Sequence, residues 1–100
     1  MTETTILDAG SHAAESEWIE VPVGSIAHFS MFMKEGDVPR EYSCMRIVRR
    51  TPGADREVAA LSSFPSTQQI SGPGAYRVVR KAGPYSAGAT AQVFNPYPDA

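Results

Sequence analysis

The sequence predicts an all-β domain, an antiparallel β-sandwich of jelly-roll or immunoglobulin-like type with about six to eight short strands. Three observations carry that expectation. From Glu17 onward, short apolar runs recur about every ten positions with turn residues between them. Within several runs apolar and polar residues alternate with a period of two, the mark of a strand with one buried face. The 8 glycines and 8 prolines fall almost wholly between the runs. The best helical stretch, 55–61, is shorter than the roughly 12–15 residues that an isolated helix needs in water.

Residues 1–16 are small, polar and acidic, with Ile6 and Leu7 as their only adjacent large apolar pair, and they read as a flexible N-terminal arm. The domain is expected over 17–95. Its first run, 18–23, contains Pro22, which cannot donate to a ladder and so confines the run to an edge or a strand end. In the second, 26–33, Ala27, Phe29, Met31 and Met33 share one face and Ile26, His28, Ser30 and Phe32 the other. A loop over 34–39 precedes a third run, 41–50, in which Ser43, Met45 and Ile47 alternate with Tyr42, Cys44, Arg46 and Val48. Thr51-Pro-Gly-Ala-Asp55 suits a turn, since proline presets φ and glycine accepts positive φ, and it links this run to 56–61 as a hairpin. Residues 62–69 read as a polar loop. Strands follow at 75–81 and 89–95, and the tail at 96–100, with Pro96 and Pro98, reads as extended.

A chain of 100 residues with 42% hydrophobic content suits one domain with its own core. A single cysteine, Cys44, cannot close an intrachain disulfide, which favours assembly inside a cell. The N-terminal acids do not suit a secretory signal, and no stretch approaches the roughly 18 apolar residues of a membrane span, so no membrane association is expected. Charge is divided unevenly. Residues 1–41 hold eight acids and two bases, net −6; residues 42–98 hold seven bases and two acids, net +5; Asp99 completes the total of −2. Either the two halves neutralise each other in the fold, or the surface carries an acidic and a basic patch suited to steering subunits together.

No metal, cofactor or catalytic residue is expected. His12, His28 and Cys44 stand apart, with no ligand spacing between them and no G-x-S-x-G elbow elsewhere. The Ser71-Gly-Pro-Gly74 turn lacks the lysine and hydroxyl of a phosphate loop. The basic strand ends, Arg46, Arg49 and Arg50, and Arg77, Arg80 and Lys81, belong to a chain of pI ≈ 5.6, which argues against nucleic acid. They suit an acidic protein surface equally well. Candidate partner contacts are therefore Ile6 and Leu7 of the arm, Arg46, Arg49 and Arg50, and Phe94 and Tyr97 near the C-terminus.

The segment QISGPGAYRVV at 69–79 resembles small virion proteins of tailed bacteriophages, in which a G-P-G turn followed by Tyr-Arg-Val leads into a late strand of a β-sandwich. The WIEVPVG opening at 18–24 and the MRIVRRTPG strand and turn at 45–53 are similar in style, and the rest of the likeness is the rhythm over 17–95. The resemblance implies the role of leading the chain into that strand for Gly72, Pro73, Gly74, Tyr76 and Arg77, and nothing for binding. It also implies a structural protein of the virion, assembled in the host cytoplasm: a homo-oligomeric capsid decoration or cement protein that holds the head shell through the major capsid protein or other virion proteins. A small tail, neck or fibre module is the alternative. A third expectation, from a different class, is a carbohydrate-binding domain presenting Trp18, Tyr42, Tyr76 or Tyr85 for stacking on sugar.

Overall fold

A computed structural model describes residues 4–33, 45–62, 66–82 and 87–96. Nine strand segments run in the order β1 (Thr4–Gly10), β2 (Ala14–Glu15), β3 (Ile19–Val21), β4 (Ile26–Met33), β5 (Met45–Arg49), β6 (Arg56–Leu61), β7 (Thr67–Ser71), β8 (Gly74–Arg80) and β9 (Ala87–Phe94), with no helix among the described residues. They form two packed antiparallel sheets, β1-β9-β4-β7 and β2-β8-β5-β6, with β3 also paired to β8. The sandwich expected from the sequence is what forms.

Strands β2 and β3 lie along the same side of β8, opposite Arg80 to Val79 and Tyr76 to Gly74 respectively, so together they make one interrupted edge strand. Counted that way, the chain pairs first with last: β1 with β9, β2–β3 with β8, β4 with β7, and β5 with β6. A long hairpin folded over on itself in this manner is a jelly roll, which decides between the two sandwich types that the sequence left open.

Alternation puts the core where the sequence placed it. Ala27, Phe29 and Met31 of β4, Met45 and Ile47 of β5, and Tyr76 and Val78 of β8 are buried between the sheets. Across β4, Phe29 and Met31 stand opposite Ala91 and Ala89 of β9, large against small, which lets the side chains interdigitate. Phe32 faces the other way and covers Gly88 of its neighbouring strand; a Cβ at Gly88 would meet its ring and the Leu7 carbonyl oxygen at 2.6 Å.

Three expectations are corrected. The N-terminal arm at 1–16 is not an arm from Thr4 onward: β1 is an edge strand of one sheet and β2 joins the other. Leu7, 8% exposed, is buried in the core rather than offered to a neighbour as an anchor, and Ile6 is partly buried against that core. The ladder partner of Leu7 is the small Ala89, beside which a leucine side chain fits. The loop expected at 62–69 gives way to β7 from Thr67, an edge strand of mostly polar residues that β4 pairs along its length. The hairpin at 51–55 forms as expected, with Gly53 at φ 91° and the Thr51 hydroxyl donating to the Ala54 carbonyl. Of the expected tail, residues 97–100 lie outside the described residues, as do 41–44 of the third run.

Candidate functional site

The interruption of the β2–β3 edge is built by Ser16. Its N–H donates to the Val78 carbonyl at 2.9 Å, and its hydroxyl accepts from the Val78 N–H at 2.9 Å while donating to the Glu17 carbonyl at 3.0 Å. A side chain thus completes a ladder that the backbone leaves open, and the buried hydroxyl is fully satisfied. The bulge turns Trp18 onto the outer face of the sheet. There the Arg77 guanidinium sits 4.5 Å from the ring centroid and that of Arg50 at 5.6 Å, both within the range of a cation–π contact.

Arg77 is the hub of this face. Its Nη2 meets Glu15 Oε2 at 2.7 Å and Asp55 Oδ2 at 3.4 Å, while its Nε is buried without a hydrogen-bond partner. One strand over, Arg46 Nε lies 3.7 Å from Glu57 Oε1, with both side chains about half exposed. Such pairs contribute on the order of 0.2–1 kcal/mol each and mainly fix which groups are neutralised. The Glu15–Arg77 pair joins the acidic N-terminal half to the basic C-terminal half, so part of the charge division is cancelled within the fold. Among the described residues Glu17 and Glu20 make no ion pair, nor do Arg49, Arg50 and Arg56.

Arg80 does something different. From β8 it donates to the carbonyls of His12 at 2.7 Å, Asp8 at 2.8 Å and Ala87 at 2.8 Å, tying the rim of one sheet to β1 and β9 of the other. At the opposite end, Arg49 Nη2 donates to the Pro73 carbonyl at 3.3 Å. The turn at Gly72, Pro73 and Gly74 leads into β8, and Tyr76 is buried two residues into the strand with its hydroxyl 3.4 Å from the Ser71 carbonyl. A Cβ on Gly72 would run into the carbonyls of Pro22 and Val21, so this turn accepts only glycine at its start.

A groove of about 430 Å³ opens along the seam between the two sheets, lined by Thr4, Thr5 and Ile6 of β1 and by Glu15, Ser16, Glu17 and Ile19. On the other seam, Gln68 Nε2 donates to the Ala60 carbonyl at 3.1 Å and bridges β7 to β6.

The predicted contact residues do not converge. Ile6 and Leu7 serve the core, Arg46 is paired, Arg49 and Arg50 lie together at one end, Phe94 ends β9 partly buried opposite Ile26, and Tyr97 is outside the described residues. Of the rings considered for sugar stacking, Tyr76 is buried and Trp18 carries two arginines, while Tyr42 and Tyr85 lie outside the described residues. Arg56 escaped notice in the sequence, although the hairpin turn at 51–55 already sets it across from Arg49. Ser16 gave no signal, because a serine in a polar stretch reads as loop. Among the described residues no three His, Cys, Asp or Glu side chains gather as a metal site.

Comparison with protein-family models, curated proteins and solved structures returns no match for this chain.

Proposed function

We propose that this chain is a non-enzymatic structural protein of a phage virion, a homo-oligomeric decoration or cement protein that binds the head shell and stabilises it through subunit contacts. The observation that carries the reading is the 69–79 segment itself, whose likeness lies in its G-P-G turn and Tyr-Arg-Val run; in this fold the turn leads into β8. Jelly rolls are shared by viral capsid domains, lectins and cupins, so the fold agrees with the reading by analogy and the segment favours one branch of it. The outer face around Trp18 offers guanidinium donors and an already occupied ring, a surface suited to protein contact.

The test is light scattering of the purified protein, followed by sedimentation with particles lacking it. Self-association and co-sedimentation at a fixed stoichiometry of many copies per particle are expected. A few copies per particle would place it in the tail or neck instead, and a monomer that leaves the particles bare would overturn the virion reading.

A further inference from the structure

The described arginines sort into two groups. Arg46 faces Glu57, Arg77 faces Glu15 and Asp55, and Arg80 donates three of its five N–H groups to carbonyls that tie the two sheets together. Arg49, Arg50 and Arg56 have no carboxylate within ion-pair distance among the described residues, and they flank the 51–55 turn, Arg49 and Arg56 on one side of the ladder and Arg50 on the other, over Trp18. Arg49 and Arg56 are direct register partners, so their side chains leave the same face of the ladder from backbones about 5 Å apart. Like charges set opposite one another in this way weaken a sheet, so the fold gains nothing from the pair. Two of the three are also held in place by groups that leave the charge uncancelled: Arg49 by the Pro73 carbonyl, and Arg50 by the Trp18 ring. Ordered guanidiniums with open donors are prepared for an anionic partner, since less rotamer freedom remains to be lost on binding.

We propose that this end of the molecule docks on an acidic stretch of protein, whose Asp and Glu carboxylates occupy the forks of Arg49, Arg50 and Arg56. Carboxylates match the planar fork in paired hydrogen bonds. A nucleic acid fits less well: its phosphate chain would have to run past the cluster onto a face carrying Asp55, Glu57 and Glu20, on a protein of net charge −2. The inference deepens the assembly reading above, on which it rests for its biological setting, by naming the chemistry of the partner's surface.

The experiment uses the full chain and a labelled ten-residue glutamate peptide as probe, read by anisotropy and by the emission of Trp18, the single tryptophan, against which Arg50 lies. Binding that weakens as salt rises is expected. The triple variant R49Q/R50Q/R56Q should lose at least about tenfold in affinity, and R46Q less than about twofold. The double variant R49Q/R56Q should melt no lower than the wild type, which separates lost binding from lost folding. Absence of peptide binding, an equal loss in R46Q, or tighter binding of duplex DNA of equal charge would each overturn the inference. The same variants distinguish it from the virion reading. Particles that take up the triple variant as well as the wild type overturn the docking surface alone; peptide binding by a protein that ignores particles supports the surface and overturns the virion reading alone.

Discussion

Replacing Leu7 by alanine tests whether β1 belongs to the fold. The side chain is 8% exposed and packs with Ala87, Ala89 and Ala91 in the core. Truncating a buried leucine costs about 2–5 kcal/mol, the spread reflecting how far the surroundings can close over the gap. An edge strand with register shifts on either side of Leu7 can shift inward more readily than a central one, so the lower part of that range applies, about 2.5 kcal/mol. For a domain of this size that corresponds to a fall in Tm of roughly 10–20 °C. Thermal melts followed by circular dichroism measure it, with the exposed Asp8→Ala as a control expected within about 0.5 kcal/mol of wild type. Deletion of residues 1–10 should go further and unfold most of the chain, since it uncovers β9 and removes the Asp8 carbonyl from Arg80. If Leu7→Ala melts within about 2 °C of wild type, β1 is a detachable arm after all and the core described above is wrong at that edge.

Other substitutions probe the ties between elements. Ser16→Ala orphans the buried Val78 N–H and should cost about 1–3 kcal/mol, with faster hydrogen exchange at that amide as the specific readout. Arg80→Met removes three charge-assisted hydrogen bonds that bridge the sheets; because the site is partly exposed, about 2 kcal/mol is expected in urea titrations, and an unchanged midpoint would show the tie to be idle. Gly88→Ala drives a methyl group toward the Leu7 carbonyl and the Phe32 ring and should lower stability by about 1–3 kcal/mol, again seen as a lower Tm.

Much of the sandwich is legible in the chain because period-two alternation is local. Ile26–Met33 and Arg56–Leu61 have the bounds expected of them, and the buried faces of β4, β5 and β8 follow from alternation. The hairpin between β5 and β6 needs nothing beyond the residues at 51–55. The strands that escaped, β1, β2 and β7, are edge strands. Each has one neighbour and much exposed surface, so most of its residues stay polar or small, and its strand character comes from the partner that pairs with it.

The sequence by itself determined that this chain is β-rich, which side chains on its central strands face inward, and that acids and bases occupy different halves. Only the tertiary structure decided the jelly-roll order, because pairing β1 with β9 joins residues such as Thr4 and Ala91, and no local pattern encodes such a contact. It also decided the fate of each charge. Arg77 and Arg49 look alike in the sequence, yet the fold brings Glu15 and Asp55 to one and sets Arg56 opposite the other, so the first is neutralised and the second has no carboxylate beside it among the described residues.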